Sequence, residues 1–145
     1  MNYQQQVNEY VANLGIWNFK LHNLHWNVKG IAFKSVHEFF ESVYDEAFEY
    51  YDAVAELLKI QGVNPVVKAA DYLQLASIKE IDGKDFSIEE AITILESDMK
   101  LMSNLAKQIR EAADKDDNFA LANMMEDHIA YYEKQLWFIR ATLNK

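Results

Sequence analysis

The sequence predicts an all-α fold: a four-helix bundle with a short extra helix in the long crossover between helices two and three. Three observations predict it. Apolar residues recur at helical spacing in four long stretches with turn signals between them. The 145 residues include one Pro and four Gly, so few positions interrupt a helix. Half of the residues are apolar and 13% aromatic, enough to fill one sizeable core, and residues 1–145 read as a single domain.

The first helix runs from about Tyr3 to Trp26 through Val7, Val11, Leu14, Trp17, Leu21 and Leu24, and ends near Gly30. The second opens with Ser35-x-x-Glu38, a capping-box pattern in which hydroxyl and carboxylate each satisfy a free backbone N–H. It continues through Phe40, Val43, Ala47, Tyr51, Val54 and Leu58 and stops at Gly62. The link from Val63 to Phe86 is too long for a simple turn and carries a helical patch from Val66 to Leu75, as a crossover connection requires. A second capping box, Ser87-x-x-Glu90, starts the third long helix, which carries Ile88, Ile92, Leu95, Met99, Met102, Leu105 and Ile109. The fourth begins after the acidic turn Asp114–Asn118 and continues to about Leu143.

Composition excludes several classes of function. The chain has no Cys, which removes disulfides, thiolate metal sites and Cys nucleophiles, so any metal is held by N and O ligands. No apolar run approaches a membrane span and the N-terminal stretch is polar, so a soluble, cytoplasmic protein without membrane contact is expected. With 23 Asp+Glu against 14 Lys+Arg the net charge is −9, which repels phosphate backbones and attracts cations. The first basic residue is Lys20, so a basic N-terminal arm is missing and DNA binding is not expected.

The chemistry-bearing residues gather on helix two. His37 and Glu41 stand four residues apart, as do Asp52 and Glu56, so each pair projects from one face. Imidazole with carboxylate suits iron, zinc or manganese. Taken singly, each pair is more simply a solvated face and His25 a hydrogen-bonded hairpin residue; their joint spacing singles them out. His37 and Asp52 are about 22 Å apart at 1.5 Å per residue, so one straight helix cannot bring the pairs together. They nevertheless face within roughly 60° of each other. Two copies packing helix two against helix two about a twofold would place the His37 end of one on the Asp52 end of the other, giving two equivalent sites. His25, across a short hairpin from His37, can face the same site. No Glu-x-x-His, the motif of bundle iron sites within one chain, occurs.

His22 and His128 read as packing residues, His22 at most an outer-shell ligand. Tyr44, Tyr50, Tyr51 and Trp26 read as core or interface residues whose rings are also oxidisable.

His25, His37 twelve residues later, an acid at 41, Asp52 and Glu56, set in "HWNVKG…F…H…F…Y…D…AE", resemble the signature of the Dps family of mini-ferritins. Gly62-x-x-Pro65 and Lys134-x-x-Trp137 with Ala141 extend the likeness over essentially the whole chain. The resemblance implies a ferritin-like bundle assembling as a homo-oligomer, a hollow dodecamer built from twofold dimers. It implies a ferroxidase that oxidises Fe(II) with hydrogen peroxide and stores ferric mineral, protecting against oxidative stress. Two Fe2+/Fe3+ ions per site are expected on His25, His37, Glu41, Asp52 and Glu56, with Glu56 the bridge. Glu41 stands where the family usually has Asp, which bears on the second iron position. Asp114, Asp116, Asp117, Glu126 and Asp127 are candidate linings of iron-entry pores. The rival reading is a DNA-binding nucleoid protein with secondary iron binding.

Overall fold

Two parallel dipeptides fix the direction of every long helix. The computed structural model describes all 145 residues, Met1–Lys145, as α1 (Gln4–Asn27), β1 (Val28–Lys29), α2 (Phe33–Ile60), α3 (Ala69–Leu75), β2 (Phe86–Ser87), α4 (Ile88–Lys115) and α5 (Phe119–Thr142). Val28 of β1 pairs with Phe86 of β2, and Lys29 with Ser87, in parallel. Since β1 leaves the end of α1 and β2 leads into α4, α2 and α4 start from the same end of the bundle. Short connections make α1–α2 and α4–α5 antiparallel hairpins, and the segment containing α3 carries the chain back along α1.

The opposite end is tied by polar side chains. The Tyr3 hydroxyl donates to Asp116 at 2.8 Å, and the Asn118 amide donates to Tyr3 at 3.1 Å. Asn118 and Gln61 exchange two hydrogen bonds at 2.8 Å. The start of α1, the end of α2 and the α4–α5 turn are thereby held together.

Two helix starts show how local chemistry sets boundaries. Ser87 caps α4 as expected, its hydroxyl accepting the Glu90 N–H at 3.1 Å. Ser35 does not cap α2, which begins at Phe33 with no side-chain cap. The Phe33 N–H donates to Gly30 and the Val36 N–H to Ala32, so the hairpin's own backbone starts the helix before Ser35 is reached. The crossover helix likewise begins at Ala69 rather than Val66: Lys68 is still extended, and the Val66 N–H is tied to the Asn8 side chain at 3.2 Å. Periodicity gave no sign of the β1–β2 pair, which is too short for an alternating pattern.

The core is continuous from Val7 and Trp17 on α1 through Phe40 and Leu58 on α2 to Leu95 and Met99 on α4 and Ile139 on α5. Lys20 and Asp98 form an ion pair at 2.8 Å inside it, with side chains 6% and 8% exposed, linking α1 to α4. Burial pushes the Asp98 carboxyl above its usual range, against the pull of Lys20. At Gly15, a Cβ would stand 3.0 Å from the Tyr72 ring, so the glycine lets α3 lie close on α1.

Candidate metal centre

The hairpin between α1 and α2 is short enough to set two imidazoles face to face. Gly30 makes this turn with φ +147°, and a Cβ there would meet Ile88 Cδ1 at 2.8 Å. His25 is buried and His37 half-buried; their ring centroids lie 3.6 Å apart at an interplanar angle of 11°. The His25 Nδ1–H donates to the His37 carbonyl, and the His37 Nδ1–H to the His25 carbonyl, both at 2.7 Å. A carbonyl oxygen only accepts, so each Nδ1 carries the proton and each neutral ring keeps its lone pair on Nε2. This is the tautomer in which a backbone-anchored imidazole binds a metal.

Aromatic rings brace the pair. Phe33 stacks on His37 at 4.9 Å, and the Tyr44 ring meets His25 edge-on at 5.2 Å. The same Tyr44 stacks on His22 at 3.9 Å, and its hydroxyl donates to Glu41 at 3.4 Å. His22 is anchored through Nδ1 to the Asn18 carbonyl at 2.7 Å. Tyr44 therefore touches three chemistry-bearing residues, a role that spacing alone did not separate from packing.

Asp52 and Glu56 are exposed farther along α2. The Glu56 carboxyl is raised above its ordinary value by a hydrogen bond shared with Asp52, then by the Asp52 charge. The structure thus brings His25 to His37, places Glu41 one turn away, and brings Asp52 to Glu56. It does not join the two halves: no group of three or more His, Asp or Glu in the chain is arranged to hold a metal ion.

The candidate pore acids are unequal. Asp116 accepts from Tyr3, Glu126 accepts from Arg110 Nε at 2.9 Å, and Asp114 lies 3.9 Å from Arg110. Asp117 and Asp127 are exposed and form no salt bridge. No helix is long and apolar enough to cross a membrane.

Comparison with known proteins agrees with this architecture. The ferritin-like domain family matches residues 4–145. A DNA protection during starvation protein of Brevibacillus brevis is 37% identical over 137 residues, covering 94% of this chain and 91% of its own. The crystal structure of antigen TpF1 from Treponema pallidum aligns with a TM-score of 0.96 and 31% identity, over 99% of this chain and 92% of that one. A Dps protein from Bacillus brevis aligns with a TM-score of 0.92 and 36% identity, over 99% and 98% of the two chains. The chain belongs to the ferritin-like family and, within it, to the Dps proteins, the iron-storing mini-ferritins.

Proposed function

We propose that the chain is a ferroxidase subunit that oxidises Fe(II) with hydrogen peroxide at sites shared between two copies, in a hollow dodecamer that stores the ferric product. The observation that carries this reading is the reciprocal His25–His37 pair, two imidazoles with Nε2 lone pairs free at one end of α2. At the other end the neighbouring Asp52 raises the Glu56 carboxyl above its ordinary value, a repulsion that a bound cation relieves. Antiparallel packing of α2 on α2 about a twofold joins imidazoles from one copy to carboxylates from the other. Phe19 of α1, Phe48 of α2, Val67 just before α3 and Leu73 of α3 are exposed, and a partner copy would cover them.

In this reading Fe(II) is the substrate. His25, His37, Glu41, Asp52 and Glu56 bind it, with Glu56 between two ions, and the carboxylates favour the harder Fe(III). Two Fe(II) each give one electron to peroxide: H2O2 + 2 Fe(II) + 2 H+ → 2 Fe(III) + 2 H2O. Pairing two one-electron donors with a two-electron oxidant releases no hydroxyl radical. Anaerobic Fe(II) titration followed by peroxide tests the reading. Saturable binding and stoichiometric oxidation are expected, both lost in His25→Ala with Asp52→Ala at unchanged helicity; oxidation no faster than in buffer would overturn it.

The name of the Brevibacillus brevis relative raises the rival, protection by binding DNA. Net charge of −9 per chain opposes the phosphate contacts on which such binding depends. A gel shift with metal-free protein and chelator decides between the two, because divalent cations bridge acids to phosphate. No shift is expected; tight, salt-sensitive binding would favour the rival.

A further inference from the structure

The bundle interior holds a group of oxidisable residues that the proposed iron chemistry does not use. Tyr10 of α1 and Tyr132 and His128 of α5 are all buried. The Tyr10 hydroxyl lies 2.8 Å from His128 Nδ1 and also meets the Tyr132 hydroxyl. Around them the Tyr50 ring of α2 stacks on His128 at 3.5 Å and 8°, Tyr131 lies 5.9 Å from Tyr132, and Trp17 lies 6.3 Å from Tyr132. The Tyr131 hydroxyl and Trp17 Nε1 are buried without a protein partner. Phenylalanine or leucine would fill this space without stranding polar atoms, so packing alone does not account for the composition.

The hydrogen bonds have a direction. If His128 donated to Tyr10, one of the two buried phenol protons would have no acceptor whichever way the Tyr10–Tyr132 bond ran. The chain therefore runs from the Tyr132 O–H to Tyr10, and from the Tyr10 O–H to Nδ1 of a neutral His128. A phenol donating to a free imidazole nitrogen can lose its electron and proton together, without forming a buried phenol cation.

We propose that Tyr10, Tyr132 and His128 are a redox relay that intercepts hydroxyl radical formed when a single Fe(II) meets peroxide. This rests on the function proposed above for the source of the oxidant. One iron gives one electron: Fe(II) + H2O2 → Fe(III) + OH− + hydroxyl radical. The radical takes an electron from Tyr10 and becomes hydroxide, the Tyr10 O–H bond breaks, and the proton passes to His128 Nδ1. A later Fe(II) returns an electron, the proton goes back to Tyr10, and the relay is reset with a second Fe(III). Tyr50 links the group to α2, the helix that carries Asp52 and Glu56. Burial lowers His128 to about 3, so the imidazole enters the step neutral and returns the proton readily.

The test begins without iron. Azide radicals generated by pulse radiolysis oxidise the metal-free assembled protein while radicals are followed optically. The parent is expected to form a long-lived tyrosyl radical, lost in Tyr10→Phe and Tyr132→Phe and retained in Tyr3→Phe, whose hydroxyl is engaged by Asp116 and Asn118 outside the cluster. Double-resonance spectroscopy of the trapped radical should show an exchangeable proton from the imidazole, absent in His128→Gln. Helicity and assembly size are checked for each variant, and either Phe variant suffices if the other misfolds. An unchanged radical in the Phe variants, or equal loss in Tyr3→Phe, would overturn the relay. A second arm adds substoichiometric Fe(II) and then peroxide: iron oxidation without a Tyr10-dependent radical would also overturn it. Absence of iron oxidation would instead sink the ferroxidase reading, leaving the relay supported by the azide result.

Discussion

The Nδ1–H of His25 donates to the carbonyl of His37 and the Nδ1–H of His37 to that of His25, with the rings 3.6 Å apart. Each imidazole is thus oriented by the backbone of the other residue, and turning either ring breaks its own bond. Long-range 15N–1H correlation on the metal-free protein, at a pH where the imidazoles are neutral, should show a protonated Nδ1 and an unprotonated Nε2 on both. A protonated Nε2 on either ring would remove the preset ligand atom.

Glu41 reaches one methylene farther than the family's usual Asp, and its carboxylate accepts from Tyr44 at 3.4 Å. Glu41→Asp should raise occupancy of the second iron position, read as Fe(II) bound per site in anaerobic titration. An unchanged stoichiometry would place Glu41 outside the site.

Gly30→Ala should destabilise the chain by about 1–3 kcal/mol in denaturant titration, the scale of an enforced non-glycine strain. The new Cβ meets Ile88 at 2.8 Å and the backbone keeps φ +147°. Because this turn sets His25 against His37, Fe(II) affinity should fall as well. Gly83→Ala, whose nearest atoms lie 3.9 Å away, should be close to neutral. Equal effects at the two positions would contradict the hairpin's role.

His128 gives a stability signature with a definite sign. Burial lowers it from 6.5 to about 3, so between these values the unfolded chain binds the extra proton. Its contribution is fully present above the unfolded value and falls by about 1.4 kcal/mol per pH unit as pH drops through that window. His128→Gln should lose this part of the pH slope in denaturant melts run from neutral to mildly acidic pH. A variant with the parent's slope would show that His128 titrates normally.

The helices were legible because apolar spacing and the Ser87 cap act locally. Their exact starts were less so: Phe33 precedes Ser35 because Gly30 and Ala32 accept the first backbone bonds, an arrangement no side chain encodes. His25 and His37 could be placed near one another from the length of the hairpin. Their mutual anchoring could not, since the acceptors are carbonyls, which every sequence offers everywhere. Tyr44 and His128 read as packing residues, and the Tyr10–His128–Tyr132 chain was not legible, because a tyrosine at helical spacing looks like any core residue until the contacts of its ring and hydroxyl are known.

The most direct test of shared sites is a mixture of subunits. His37→Ala and Asp52→Ala proteins are each prepared, confirmed inactive in peroxide-dependent Fe(II) oxidation, and allowed to exchange subunits. In a mixed dimer one site loses both ligands while the other keeps a full set, so activity should return to a fraction set by the population of mixed dimers. No recovery after verified exchange would contradict a site built from two chains.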